Sequence, residues 1–348
     1  MRISIVDDMA MARETLRRIV TSVPGHQIAW TAANGAEAID YAQCDKPDLI
    51  LMDLIMPVLD GVQATREIML KNPCPILVVT SNVSRNMNKV YQAMGHGALD
   101  AVNTPTLGPL GDLTGAGELL AKIATIGKLL GLASERCIPS PPVKTRGGRS
   151  PLLQLLIAIG SSTGGPNALV EILSAFPRDW KCSVVIIQHV DVAFADGMAR
   201  WLADRTGHKV KVAAANERPM PGEVLLAATN DHLLLDRGMT FRYCAEPVDM
   251  CYRPSVDVFF SSLVSNWPDP GVGVVLTGMG KDGAAGLLAL RNAGWHTIAQ
   301  DQATSVVWGM PRAAAENGGA KDVLPITEIG PAIVRHLKFH LLNAETSP

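Results

Sequence analysis

The chain has 348 residues, 47% of them apolar and 18% charged, enough for two cored domains and too apolar for a disordered polymer. Its 31 Lys and Arg against 33 Asp and Glu leave a net charge of −2, without the basic excess that phosphate-backbone binding needs, so nucleic acid is not an expected partner. Asp7 and Asp8 interrupt the N-terminal apolar run at once, and no stretch approaches the roughly 18 apolar residues of a membrane span, so neither export nor membrane insertion is expected and a cytoplasmic location is.

From Met1 to about Asn103, short β-branched runs alternate with longer amphipathic stretches, the pattern of a parallel sheet covered by helices. The spacing predicts strands over Arg2–Val6, Gln27–Ala32, Leu49–Met52, Ile76–Thr80 and Ala98–Val102, closed by a helix over Gly117–Leu130. The composition then shifts to Ile138-Pro139-Ser140-Pro141-Pro142 and a basic, glycine-containing stretch from Lys144 to Ser150, which is linker composition. Beyond it, strands are expected over Leu153–Ile159, Ser183–Gln188, Glu223–Ala227, Gly273–Thr277 and Trp295–Ala299, with a hairpin over Leu233–Arg242. The organisation read from this is two doubly wound α/β domains, 1–131 and 152–345, joined by a linker over 132–151.

In open parallel sheets the side chains at the carboxyl ends of strands gather at one edge. Asp7 and Asp8 end the first predicted strand, Asp53 ends the third and Thr80 the fourth, so three carboxylates and a hydroxyl converge there. Clustered carboxylates suit Mg²⁺, a hard cation that takes oxygen ligands, and a carboxylate beside it can act as a nucleophile toward phosphorus. Taken singly, each aspartate reads as an acidic residue opening a helix. Taken together, Val6-Asp7-Asp8 and Met52-Asp53-Leu54-Ile55-Met56-Pro57-Val58-Leu59-Asp60-Gly61 resemble the receiver domains of bacterial response regulators, over essentially residues 1 to 130. That resemblance implies that Asp53 is the phosphoacceptor, that Asp7 and Asp8 hold Mg²⁺ with it, and that Thr80 is the switch hydroxyl. One position departs from the family: Thr104, in Val102-Asn103-Thr104-Pro105, stands where receivers carry a lysine.

In the second half, Ile157-Ala158-Ile159-Gly160-Ser161-Ser162-Thr163-Gly164-Gly165-Pro166 reads as a strand entering a glycine-rich turn and then a helix, a place where a hydroxyl sits among backbone amides able to hold an anion. His189, directly after a strand, and Asp282, in the loop after another, supply a base and an orienting carboxylate. A lone histidine is more often a satisfied core residue, and Gly278-Met279-Gly280-Lys281-Asp282-Gly283 also fits G-x-G-x-x-G with Asp301 further on. A dinucleotide site is nonetheless disfavoured, because Asp282 would set a negative charge in the loop that cradles a pyrophosphate.

Together with Gln188-His189, Arg253-Pro254-Ser255-Val256-Asp257, the Leu276-Thr277 that leads into Gly278–Gly283, and Gly309-Met310-Pro311-Arg312, these segments resemble the catalytic domain of the CheB family, the chemotaxis protein-glutamate methylesterases. The resemblance implies that Ser162 is the nucleophile rather than Ser161, which stands where the family usually has alanine. It further implies His189 as base, Asp282 as its acid, and the Met279 amide with Thr163 in support of the oxyanion. It implies a phosphorylation-controlled hydrolysis of glutamyl methyl esters that needs no cofactor for the esterase step, and a related glutamine deamidation. The implied partners are methylated chemoreceptor cytoplasmic helices and a CheA-like histidine kinase as phosphodonor. The contrasting expectation is a catalytically inert, receiver-linked scaffold of a chemosensory complex. The cysteines Cys44, Cys74, Cys137, Cys182, Cys244 and Cys251 lack C-x-x-C spacing and read as free, mostly buried thiols, and the pair His336 and His340 reads as surface or interface rather than metal-binding.

Overall fold

A computed structural model describes residues 1–83, 85–107, 113–132, 155–248, 250 and 252–345. The chain divides into two compact units, Met1–Glu135 and Arg136–Pro348. Most of the stretch expected as a linker, from 133 onward, lies outside the described residues.

The first unit runs β1 (Arg2–Val6), α1 (Ala10–Thr21), β2 (Gln27–Ala32), α2 (Gly35–Cys44), β3 (Leu49–Met52), α3 (Gly61–Lys71), β4 (Ile76–Thr80), α4 (Met87–Gly95), β5 (Asp100–Asn103), a short antiparallel pair β6 (Thr106–Leu107) and β7 (Leu113–Thr114), and α5 (Ala116–Gly127). Its parallel sheet has the order β2-β1-β3-β4-β5. Every residue of β3 and β4 is buried, as continuous apolar runs covered on both faces must be. Helices start where side chains supply acceptors for free amides: Asn34 accepts from Ala36 and Glu37, and Asp60 accepts from Gln63 at 3.0 Å. The chain leaves β1 and β3 on opposite sides of the strand-order reversal, which sets Asp7, Asp8 and Asp53 around one crevice.

The second unit runs β8 (Leu156–Ser161), α6 (Gly165–Ser174), β9 (Ser183–Gln188), α7 (Val192–Thr206), β10 (Val210–Val212), β11 (Val224–Leu226), the hairpin β12 (His232–Leu235) and β13 (Phe241–Cys244), α8 (Val256–Asn266), β14 (Val272–Val275), α9 (Ala284–Asn292), β15 (His296–Gln300), α10 (Met310–Glu316), β16 (Asp322–Leu324) and α11 (Ile326–Glu345). Its seven-stranded parallel sheet has the order β10-β11-β9-β8-β14-β15-β16. β8, β9 and β14 are buried throughout. They lie side by side at the centre, and the order reverses between β8 and β14.

Both domains are therefore doubly wound, as the sequence predicts, with differences at the edges. β10 and β16 are absent from the sequence reading because each is a three-residue, incompletely buried edge strand carrying a charged residue, Lys211 or Asp322. β5 begins at Asp100 rather than Ala98, since Ala98 still closes the end of α4 by donating to the Ala93 carbonyl. Of the described cysteines, Cys74 and Cys182 are buried and Cys244 is partly so, but Cys44 is exposed as the last residue of α2. His336 stacks on His296, with ring centroids 4.3 Å apart.

Val58, between Pro57 and Leu59, has φ +68° and is 84% exposed, in a tight turn closed by the Leu59 amide on the Pro57 carbonyl. A β-branched residue in the left-handed region costs about 1–3 kcal/mol, partly offset in a glycine variant by the greater freedom of its unfolded chain. Val58→Gly is expected to raise stability by roughly 1 kcal/mol, read as an increased urea midpoint for the first unit's transition; an unchanged or lower midpoint contradicts the strain.

Candidate active site and phosphoacceptor pocket

Ser161 ends β8 and Ser162 follows it. Ser161 is completely buried, and its hydroxyl donates to Gln188 Oε1 at 2.6 Å. The Gln188 amide in turn donates to the carbonyls of Ser162, at 2.9 Å, and His189, at 3.2 Å. Ser161 is thus tied into the sheet, and Ser162 is the serine that heads the turn. Gly164 has φ +80° and opens α6, while a side chain on Gly165 would strike the Gln188 amide, so this turn requires both glycines. The Ser162 amide donates to the Thr277 carbonyl at 3.1 Å, and the Thr277 hydroxyl donates to the Thr163 carbonyl at 2.8 Å, joining the turn to the end of the adjacent β14. The amides of Thr163 and Met279 donate to no acceptor among the described residues.

His189 follows β9, and its amide donates to the Ser161 carbonyl at 3.1 Å. Its Nε2 lies 2.8 Å from Asp282 Oδ2. An ionised carboxylate only accepts, so Nε2 carries the proton and Nδ1 bears the lone pair; Nδ1 is buried and has no partner among the described residues. Tyr252 stacks flat on the imidazole, centroids 3.8 Å apart and planes 10° apart, and its hydroxyl donates to the Met279 carbonyl at 3.1 Å.

Asp282, in the loop after β14, receives more than the imidazole. Ser255 Oγ donates to Oδ1 at 2.8 Å, the Val256 amide to Oδ2 at 2.7 Å, and the Asp257 and Gly283 amides to Oδ1, each at 3.1 Å. Burial alone would raise its pKa, but the hydrogen bond from His189 and the amides at the start of α8 outweigh it, holding the carboxyl below the ordinary carboxylate range. Ser255 is also tied from behind: its amide donates to His232 Nδ1 at 3.1 Å, and His232 Nε2 donates to the Pro247 carbonyl at 3.1 Å. This pairing requires a neutral His232, and burial lowers its pKa further than its partners raise it.

In the first unit, Asp7, Asp8 and Asp53 bring carboxylate oxygens within 4.8 Å of one another. Burial pushes the Asp7 carboxyl up to about 6, with the Met9 amide opposing and the charges of Asp53 and Asp8 adding to the rise. Burial likewise raises Asp53, against hydrogen bonds from the Leu54 and Ile55 amides and the Thr80 side chain. An all-oxygen donor set whose charges repel one another fits a hard divalent cation, and these three residues would hold Mg²⁺. Asn86 donates to Thr80 Oγ1 at 3.0 Å, and the Thr104 amide donates to the Thr80 carbonyl at 2.9 Å, which sets Thr104 beside the strand that ends in the hydroxyl.

Both constellations have counterparts in known proteins. Residues 157–333 match the family model described as CheB methylesterase, and residues 3–107 match that of the response regulator receiver domain. A Pseudomonas fluorescens protein-glutamate methylesterase/protein-glutamine glutaminase is 50% identical over 334 residues, 96% of this chain and 98% of that protein. The chain belongs to the CheB methylesterase family. A second member, from Burkholderia lata and of the same name, is 51% identical over 97% of this chain and 98% of its own length. The crystal structure of the Thermotoga maritima CheB methylesterase catalytic domain is 32% identical, with a TM-score of 0.51, covering 53% of this chain and 99% of that one.

Of the residues expected at the two sites, the structure brings His189 and Asp282 into direct contact, with Ser162, Thr163 and Met279 on loops after the neighbouring strands β8 and β14, and gathers Asp7, Asp8, Asp53 and Thr80 in the other unit. The reading missed Gln188, His232, Tyr252, Ser255 and Thr277 as parts of the first site. Gln188, Ser255 and Thr277 lie in segments that carry the family resemblance, but nothing in the sequence indicates which atoms they touch.

The neutral His232 gives a pH test. Its folded pKa lies below the unfolded value of about 6.5, so the stability it contributes is fully present above that value and is lost as pH falls through it toward the folded pKa. From about pH 7.5 to 5.5 the urea midpoint of the wild-type second unit is expected to fall relative to that of His232→Gln. His208, lowered by burial, and Asp257, raised to about 7 and acting in the opposite sense, contribute equally to both proteins. An identical pH dependence in the two proteins would remove His232 from the account.

Proposed function

We propose that the chain is a cytoplasmic, phosphorylation-controlled hydrolase of glutamate methyl esters on chemoreceptor helices, with a receiver over 1–131, a linker over 132–151 and a catalytic domain over 152–345. One observation carries the catalytic reading: the 2.8 Å contact of His189 Nε2 with a fully hydrogen-bonded Asp282, which leaves Nδ1 without a partner among the described residues, just past the end of the strand paired with the one that leads to Ser162. In this reading Ser162 Oγ attacks the ester carbonyl while its proton passes to His189 Nδ1. The oxyanion is stabilised by the free amides of Thr163 and Met279. Collapse of the tetrahedral intermediate breaks the bond to the methoxy oxygen, which leaves as methanol with the proton from His189. Water, deprotonated by the same nitrogen, then attacks the acyl-enzyme and frees the glutamate. A glutamine side chain enters the same sequence with ammonia as the leaving group. Asp282 stays ionised and holds the imidazole that becomes positively charged.

Regulation follows from the other unit. An oxygen of Asp53 attacks the phosphorus of a phosphohistidine on a CheA-like kinase, forming an acyl phosphate as the phosphorus–nitrogen bond breaks. Mg²⁺ held by Asp7, Asp8 and Asp53 supplies charge neutralisation when bound. Thr80, already hydrogen-bonded to the Asp53 carboxyl, is placed to follow the new phosphoryl oxygens.

The test is methanol release from a methylated chemoreceptor cytoplasmic fragment, with and without acetyl phosphate and Mg²⁺. Ser162→Ala is expected to lose at least about 10⁴-fold in turnover, and Asp53→Asn to keep basal turnover while losing the response to acetyl phosphate. Undiminished turnover in Ser162→Ala refutes the triad, and a wild-type protein with no turnover leaves the scaffold reading.

A further inference from the structure

Asp257 belongs to neither a catalytic nor a regulatory role so far. It is the second residue of α8, and its carboxyl points not into its own helix but across to α9. Its Oδ1 accepts from the Gly286 amide, in the first turn of α9, at 2.6 Å. Asp282, one residue before the Gly283 cap of α9, does the converse: it accepts from the Ser255 hydroxyl and the Val256 and Asp257 amides that begin α8. Each aspartate therefore caps the helix that the other precedes or opens, and the two helix starts are locked face to face. The approach is close. A side chain on Gly286 would meet Phe260 Cβ at 2.7 Å, Asp257 Cα at 3.0 Å and Asp257 Oδ1 at 3.1 Å.

We propose that Asp257 is a positioning residue of the hydrolytic site, fixing the Asp282 carboxylate, and through it the His189 imidazole, by the reciprocal capping of α8 and α9. This rests on the Ser162, His189 and Asp282 reading given above. Asp282 has no freedom to find its geometry by itself, because every donor it uses except the imidazole and its neighbour Gly283 belongs to the first turn of α8 or its cap. Where that turn sits depends on what holds it to the loop carrying Asp282 and to α9, and the Asp257 carboxyl adds a tie to α9 that does not use the Asp282 carboxylate. Two buried carboxyls this near cannot both ionise freely. Burial and the charge of Asp282 push Asp257 up to about 7, whereas Asp282 lies below the ordinary range. The pair thus divides its labour, one member anionic toward the imidazole and the other able to hold a proton while it caps. An asparagine, neutral and with a carbonyl oxygen in the same place, is a close substitute for that second member.

The experiment compares full-length Asp257→Ala, Asp257→Asn, Ser162→Ala and wild type in the methanol-release assay, with the folded fraction of each fixed by circular dichroism and thermal melting. Misplacement of a catalytic group by about 1 Å can cost on the order of 100-fold in rate. Asp257→Ala is accordingly expected to lose about 100-fold in kcat with KM within about twofold, and Asp257→Asn to recover most of it. Asp257→Ala that melts lower but turns over normally per folded molecule makes Asp257 a stability cap and overturns the proposal. Loss through KM alone, or an Asp257→Asn as impaired as Asp257→Ala, overturns it too. Full turnover in Ser162→Ala, by contrast, overthrows the triad itself, and so separates that failure from failure of the positioning role.

Discussion

The carboxylate of Asp282 takes five hydrogen bonds from the chain, and the arrangement of the second domain is legible as the means of delivering them. Ser255 and the first amides of α8 come from after the β12–β13 hairpin, the imidazole from the end of β9, and the loop that carries the aspartate from the end of β14. A buried charge so far from water is tolerable only when its lone pairs are met by fixed donors. The donors here are backbone amides and a hydroxyl that is itself oriented, through the amide of its residue, by a neutral histidine on the hairpin. The hairpin lies outside the main sheet yet enters the site through this contact.

The two domains solve the same problem with the same geometry and different chemistry. Each reverses its strand order within a parallel sheet, and in each the clustered side chains lie at the carboxyl ends of the strands at or beside that reversal. In the receiver, the carboxylates crowd one another and await a cation. In the catalytic domain, one carboxylate is stripped of repulsion by amides and a histidine. A family resemblance covers both, but the contrast between an electrostatically unsatisfied pocket and a satisfied one is a matter of which neighbours fold against the strand ends.

Much of this was readable before any coordinates. Continuous apolar runs such as Leu49–Met52 and Ser183–Gln188 mark central strands because they are buried on both faces, and the residues that follow them must then face the crevice. Edge strands escaped because Val210-Lys211-Val212 and Asp322-Val323-Leu324 are short and half wet, so no periodicity announces them. The G-x-G-x-x-G of Gly278–Gly283 misleads as a pattern: the glycines serve a tight turn, but what the turn presents is Asp282. The supporting residues stayed hidden for a different reason. Ser255, His232 and Tyr252 act through contacts far apart in the chain, such as His232 with Ser255 and Ser255 with Asp282, 23 and 27 residues apart, which only tertiary packing defines, and a buried histidine or a loop tyrosine is by itself an ordinary residue.

The ring of Tyr252 bears on how this histidine can move. One face of the imidazole is covered by a parallel ring and one nitrogen is held by Asp282, and the Tyr252 hydroxyl anchors that cover to the Met279 carbonyl. A base held this rigidly returns its proton from the position at which it took it. On the proposed mechanism, the departing group must therefore come to the histidine, which suits fragments as small as methanol or ammonia and penalises bulky alcohols whose oxygen would leave along another path. The selectivity of such a site for what it releases would then be set by an immobile aromatic pair, independently of how the protein substrate is gripped.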